Sequence, residues 1–391
     1  MSLTRSASRS QDDPKVTEAK TCSLQPPDNR VRGLFLCLKF RYTAINNMSD
    51  LALYRKYRPS KFSEVIGQEQ VIKVLSGALK LGNVAHAYLF AGSRGTGKTS
   101  VARILATELE TQPEDLYEID GASNRGIDEI RALREAVSTM PFRSPRKVYI
   151  IDEVHMLTKD AWNALLKTLE EPPSHVVFIL ATTELNKVPE TIISRCQAFT
   201  FKKPSQTEIQ TLLEQIAKSE KIKLEPEAVE LLALLGDGSF RDAVGMLQKA
   251  ISASGDQKIT LSEAELVTGA PPAGIIRNLA QALLDSNLSS SLEQVRLSAS
   301  KNQDTKILIK LVLRQLRLAL LLRLDKGNEN SWLKGLSEDE VKVLQDFSKH
   351  EKAVRLPEII RALLQAHEET GKSAVPSLPL ELTLVKLAGA N

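Results

Sequence analysis

An eight-residue stretch constrains this chain more than any other: Gly92-Ser93-Arg94-Gly95-Thr96-Gly97-Lys98-Thr99 fits GxxxxGK[ST] in full. It follows an apolar run, Ala87 to Ala91, that reads as a strand, and it opens a helix-period segment from Thr99 to Leu109. Those flanks separate the motif from a chance glycine-rich turn. Glycines let consecutive backbone amides turn toward a polyphosphate without Cβ clashes, and a helix N-terminus adds positive potential. In such a cradle, spanning Gly92 to Ser100, Lys98 faces the β- and γ-phosphates and Thr99 offers its hydroxyl to Mg2+.

The surrounding text dictates the scaffold. Short apolar runs (His86 to Ala91, Lys147 to Ile151, Val176 to Ala181, Ala198 to Phe201) alternate with helical patterns at Gln68 to Leu81, Thr99 to Leu109, Ile127 to Thr139 and Lys159 to Glu170. Strand and helix in alternation mean a parallel α/β sheet covered on both faces. After Lys203-Pro204 the strand signals stop. Ser205-Gln206-Thr207-Glu208 is a capping box, three or four helices follow, and Ser262-Glu263-Ala264-Glu265 opens the last of them. Ala270-Pro271-Pro272 breaks the pattern as a hinge, and an all-helical remainder includes a helix capped by Ser337-Glu338-Asp339-Glu340. The expected domains are 49–204, 205–269 and 270–391, with 1–48, rich in Ser, Thr, Pro and charge, as a disordered extension or an artefact of start-site choice, since Met48 would begin a compact protein.

Charge and cysteine usage narrow the function classes. Of 391 residues, 52 are Lys or Arg and 48 Asp or Glu; eight of the basic and four of the acidic ones lie in 1–48, leaving 44 of each in the body. A neutral body means that any DNA contact is a local patch rather than a global field. Cys22, Cys37 and Cys196 have no zinc-ligand spacing and staple nothing, which fits a reduced, cytoplasmic protein without zinc. The longest apolar stretch, Ile307 to Leu324, contains Lys310, Arg314, Arg317 and Arg323, so it reads as a buried amphipathic helix and not a membrane span.

Val148-Tyr149-Ile150-Ile151-Asp152-Glu153 is an apolar strand that ends in two carboxylates, where α/β sheets bind ligands. Asp152 suits Mg2+ contact, and Glu153 suits orienting or deprotonating an attacking water. Thr183 ends the next strand within reach of a γ-phosphate or that water, although a strand-end Thr is ordinarily β-propensity. Helix starts beside Asn124, Arg125, Thr158 and Lys159 offer duplex phosphates a docking place, with ordinary caps and a solvated face as the competing explanation.

Several segments occur together in order: Leu53-Tyr54-Arg55-Lys56-Tyr57-Arg58-Pro59, Val65-Ile66-Gly67-Gln68, the phosphate loop, Asp152-Glu153-Val154-His155-Met156-Leu157, Leu165 to Pro173, Ala181-Thr182-Thr183, Ser194-Arg195-Cys196 and Gly238-Ser239-Phe240-Arg241-Asp242-Ala243. In this combination the chain resembles the AAA+ clamp-loader ATPases of the bacterial DNA polymerase III gamma/tau type. The resemblance spans roughly 49–391, specific in the first two-thirds and a matter of pattern in the helical tail, down to Leu382-Thr383-Leu384-Val385.

The resemblance implies an AAA+ domain, a small helical lid and an all-α collar. It makes Thr183 the sensor-1 position and Arg241 the lid's sensor-2 arginine, and it makes Arg195 a finger reaching the ATP of a neighbouring subunit. Tyr54, Arg55, Pro59, Val65 and Ile66 would border the adenine. Implied partners are delta- and delta-prime-type loader subunits, further copies of the chain in a ring, a sliding clamp and primed DNA near the nucleoid, with no membrane. Two departures stand out: the four-cysteine zinc module of relatives is missing from the short interval Thr107 to Leu116, and the chain ends soon after the third domain, as a gamma-length product would. An archaeal-type loader subunit, a branch-migration motor and a non-hydrolysing structural subunit are the alternatives. The Arg55-to-Pro59 start and the helical third domain argue against the branch-migration motor, and the intact Lys98, Thr99, Asp152 and Glu153 argue against the non-hydrolysing subunit.

Overall fold

The computed structural model describes residues 52–324 and 338–389. The extension 1–48 and the cap at Ser337 lie outside the described residues.

The apolar runs form one parallel sheet: β1 (Ala87–Ala91), β2 (Leu116–Asp120), β3 (Lys147–Asp152), β4 (Val176–Thr182) and β5 (Gln197–Thr200), in the order β2-β3-β4-β1-β5. Runs such as Ala87 to Ala91 are apolar at every position because both faces are covered. Ala87, Leu89, Tyr149, Ile151, Phe178 and Leu180 pack with Ile130, Trp162 and Leu165 on one side. Tyr88, Phe90, Ile150, Val177 and Ile179 pack with Leu75, Val101 and Leu105 on the other. β2 is absent from the apolar runs because, at the sheet edge, it buries none of its five residues fully.

Strands 2 to 4 lie on one side of β1 and β5 on the other. The chain therefore leaves β1 at the point where the strand order reverses, which opens a crevice beyond its C-terminal end. The helix Lys98–Glu108 starts in that crevice. Its successor strand follows after a short link containing the single turn Pro113–Asp115.

Beyond the sheet, four helices (Gln206–Ser219, Pro226–Leu235, Phe240–Ala253, Leu261–Thr268) gather Ile209, Leu213, Leu232, Val244 and Leu247 around Leu53. The capping box at Ser205 and Glu208 forms as expected. Two readings need correction. The last of these helices is capped by Thr260 with Glu263, not opened at Ser262. Strand structure also does not stop at Pro204, since Lys223–Leu224 and Lys258–Ile259 form a two-residue parallel pair, too short to leave a periodic signal. Gly269, in the left-handed region, ends the helix before Ala270-Pro271-Pro272, and Pro272 precedes the helix Ala273–Asp285. The helices from there to Gly389, including Thr305–Leu324, share one apolar core. No described helix is long and apolar enough to cross a membrane.

Phe178 is fully buried at the centre of the sheet, its ring stacked on Tyr149 at 5.5 Å. Phe178→Ala is expected to destabilise the chain by about 3–5 kcal/mol through lost burial and an unfilled cavity. Chemical denaturation monitored by circular dichroism checks this, and a loss below about 1 kcal/mol would show that the sheet centre repacks.

Candidate functional site

Lys98 anchors the phosphate loop from inside. Only 5% of it is exposed, and its Nζ donates to the carbonyl oxygens of Gly92 at 2.7 Å and Ser93 at 2.9 Å. Burial pushes its pKa down, while the charges of Glu153 and then Asp152 pull it back up. The buried Ser93 hydroxyl has no hydrogen-bond partner, and Thr96 Oγ1 closes the turn onto the Ser93 carbonyl at 2.9 Å. Arg94 is exposed at the loop's rim. Gly97 sits in the left-handed region at the helix start.

The strand ends deliver the oxygens. Thr99 Oγ1 donates to Asp152 Oδ2 at 2.7 Å, joining the first helical turn to the end of β3. Glu153, one residue on, adopts φ +47° and ψ +43°, a left-handed conformation uncommon for a residue with a side chain. Thr183 Oγ1 donates to its Oε2 at 2.9 Å. A Cβ on Gly121 would stand 2.8 Å from the Glu153 carbonyl, so the loop after β2 presses directly on this turn. Lys98, Thr99, Asp152, Glu153 and Thr183 therefore converge on the C-terminal edge of the sheet.

His155 stands behind this group, with only 5% of its side chain exposed. Its Nδ1 lies 3.1 Å from Thr182 Oγ1 and 3.4 Å from Glu153 Oε2, and its Nε2 lies 3.4 Å from Glu184 Oε1. The Glu184 backbone N–H donates to Thr182 Oγ1 at 3.0 Å. Sequence reasoning quoted His155 without giving it a role; its place three residues after Asp152, in a tight turn, was the available signal.

The helical domain closes on the loop from outside. The Phe240 N–H donates to the Gly95 carbonyl at 3.1 Å, and Ser239 caps the helix Phe240–Ala253. In that helix's first turn Arg241 places its guanidinium 5.9 Å from the Tyr54 ring centroid, and Arg55 flanks the same ring at 5.8 Å. Pro59, Val65 and Ile66 are half-buried nearby in sequence, and Val65 packs on the sheet core. Ser100 Oγ accepts from Arg58 Nε at 2.9 Å, a contact the sequence did not signal.

Two groups stand apart from the phosphate loop. Arg195 precedes β5, whose first residue Gln197 pairs with Tyr88 near the start of β1. Parallel strands thus put Arg195 at the edge of the sheet opposite to the loop. It donates to Glu170 Oε1 and the Thr191 carbonyl, at 2.7 and 2.8 Å. Neighbouring Cys196 is half-buried, and desolvation pushes its thiol up to about 12, which disfavours the reactive thiolate. Asn124 and Arg125 follow β2, and Arg125 touches the segment after β3, where the Thr158 N–H donates to its carbonyl at 3.1 Å. Asn124 Nδ2 donates to the Asp120 carbonyl, Arg125 Nε to that of Ala122, and Thr158 caps the helix Lys159–Glu170. Arg125 and Lys159 are exposed.

The family model described as DNA polymerase III, delta subunit, matches residues 67–126 and 110–205. The one described as DNA polymerase III clamp loader subunit, ATPase lid domain, matches 208–256. The chain is 40% identical over 361 residues to DNA polymerase III subunit tau of Bacillus subtilis (strain 168), covering 87% of this chain and 63% of that protein. It is 31% identical over 360 residues to DNA polymerase III subunit gamma of Buchnera aphidicola subsp. Acyrthosiphon pisum (strain APS), covering 86% of this chain and 98% of that protein. A solved Thermotoga maritima RuvB Holliday junction branch migration motor aligns at 24% identity and TM-score 0.48, over 58% of this chain and 79% of that one. The chain spans less than two-thirds of the length of the first of these relatives, and 39 to 44% of several others.

An added Cβ at Gly95, where φ is +75°, would lie 2.0 Å from Ser239 Oγ. Gly95→Ala is therefore expected to lower the melting temperature by parting loop from helix. Gly77→Ala, in the helix Glu69–Lys80 with nothing within 4 Å of the new methyl, is expected to raise it by removing backbone entropy. Equal shifts in thermal melts would show that the loop and the helix are not in contact.

Proposed function

The chain belongs to the DNA polymerase III gamma/tau clamp-loader family, and from that premise we propose that it is the ATP-hydrolysing motor subunit of a bacterial replicative clamp loader. The observation that carries the reading is the convergence of Lys98, Thr99, Asp152, Glu153 and Thr183 at one sheet edge, next to the helix N-terminus. Lys98 exchanges its two carbonyl acceptors for β- and γ-phosphate oxygens of ATP. Glu153 holds the attacking water and takes its proton, and Thr183, now on Glu153, turns its hydroxyl to the γ-phosphate or the water. Arg241, stacked on Tyr54, brings the helical domain onto the nucleotide, and Tyr54, Arg55, Pro59, Val65 and Ile66 border the base. Gly92 to Ser100 surround the phosphates.

The donor set fits Mg2+ and not a softer metal: a hydroxyl and a carboxylate oxygen already meet at Thr99 and Asp152. Bound Mg2+ would neutralise charge on the phosphate oxygens. No group of three or more His, Cys, Asp or Glu side chains suited to a metal occurs among the described residues. A phosphate-bound Mg2+ needs none.

Arg195 is the finger for an adjacent subunit's ATP in this reading. Its position at the far sheet edge supports that, because it keeps the guanidinium away from its own loop; Glu170 holds it in readiness. ATP binding would close a ring built with delta- and delta-prime-type subunits and further copies of this chain. The ring would open a sliding clamp at a primer end in the cytoplasm, and hydrolysis would release it. Asn124, Arg125, Thr158 and Lys159 would meet duplex phosphates beside the catalytic carboxylates, without reading bases.

Two outcomes test this. Arg195→Ala is expected to bind ATP like the unaltered chain while ATP turnover in the assembled loader, with clamp and primed DNA, falls by about 10³–10⁵. A lone monomer hydrolysing at the full assembled rate would sink the trans assignment. Arg125→Ala is expected to weaken DNA binding irrespective of sequence and to flatten its salt dependence by about one counterion. An unchanged slope in binding titrations from low to moderate salt would remove Arg125 from the DNA surface.

A further inference from the structure

Arg58 is a cation for which the protein supplies too few acceptors. Its Nε donates to Ser100 Oγ at 2.9 Å in the first turn of the phosphate-loop helix. Among the described residues the guanidinium has no ion pair, and the remaining donors of its fork have no partner. The side chain is half-buried. Its pKa is pushed down to about 10, first by burial and then by the charge of Arg103, with Glu118 acting the other way; Arg241 lowers it further, and Asp152 raises it.

The two acids in its field are engaged elsewhere. Glu118 accepts from Arg103 at 2.5 Å, and Asp152 accepts from Thr99 at 2.7 Å. Arg103, although paired with Glu118, and Arg241 thus both repel the Arg58 guanidinium, which itself has no carboxylate in contact among the described residues. A guanidinium keeps its proton at any physiological pH, so it cannot escape burial by becoming neutral. An anion with several oxygens is the partner that satisfies such a fork.

We propose that Arg58, held in place by Ser100, is a direct ligand of the phosphate chain of the bound nucleoside triphosphate. The assignment rests on the ATP-binding reading above and adds to it a cation from the N-terminal segment. The segment would then be tied to the nucleotide at two points, Tyr54 on the base side and Arg58 on the phosphates. Ser100 would act through its hydroxyl as the anchor of Arg58.

The test is calorimetric titration of Mg-ATP and Mg-ADP into the unaltered chain, Arg58→Met and Arg58→Lys, with melting temperatures recorded without nucleotide. Arg58→Met is expected to bind both nucleotides about ten- to hundredfold more weakly. It should melt at or above the unaltered temperature, because a poorly compensated charge has gone. Arg58→Lys, which keeps the charge and loses the fork, is expected to fall between. Binding by Arg58→Met within about twofold of the unaltered chain would overturn the assignment alone. So would a nucleotide-free melting temperature several degrees lower, which would make Arg58 a structural partner of Ser100. An unaltered chain that binds no ATP would overturn the ATP reading together with this assignment.

Discussion

The site depends on burying the ammonium of Lys98 in a loop that has no carboxylate in direct contact with it. Two carbonyls 2.7 and 2.9 Å away hold the charge, and Glu153 and Asp152 act on it from a distance. Carbonyl dipoles and remote acids only partly offset desolvation, so the nitrogen favours an incoming anion. Everything that shapes the loop serves this. Gly97 and Gly95 take left-handed backbone, and at Gly92 an added Cβ would lie 2.6 Å from the Phe201 carbonyl. β1, covered on both faces, supplies the rigid base.

The same sheet separates two tasks by direction. The C-terminal edge of the sheet carries Lys98, Thr99, Asp152 and Glu153; the segment before β5, at the opposite edge, carries Arg195. The helical domain adds a second coupling, since Phe240, Ser239 and Arg241 touch the loop and Tyr54 through backbone, cap and ring within a few residues. Opening that domain breaks all three contacts together, so the conformation of the loop and the position of the domain are linked by direct contact.

Legibility in the sequence followed the physics of each signal. The phosphate loop, the buried strands and the Asp152–Glu153 strand end were readable because full burial and a fixed glycine spacing leave marks in the chain itself. β2 was not, because an edge strand tolerates alternating charge, as in Leu116-Tyr117-Glu118-Ile119-Asp120. Thr260 lost the cap position to Ser262 in the reading because both precede acidic residues, and only the backbone decides which hydroxyl meets a free amide. Arg58 and Ser239 lie in recognisable segments, but nothing in those segments says what either side chain meets. Their roles come from Ser100 and Gly95, which the fold brings to them from over forty and over a hundred positions away.

His155 shows how the strained Glu153 turn is kept in place. Its Nδ1 lies 3.1 Å from the Thr182 hydroxyl, which itself accepts from the Glu184 N–H, and its Nε2 lies 3.4 Å from Glu184 Oε1. These contacts join the end of β4 to the turn after β3. Thr183 Oγ1 donates to Glu153 Oε2 at 2.9 Å, and His155 Nδ1 lies 3.4 Å from the same oxygen. Thr183 is the hydroxyl bonded to the Glu153 carboxylate, and the histidine ring stands behind it between the ends of β3 and β4. A turn that costs conformational strain is thereby braced from the protein side, and its carboxylate stays responsive to whatever draws Thr183 away.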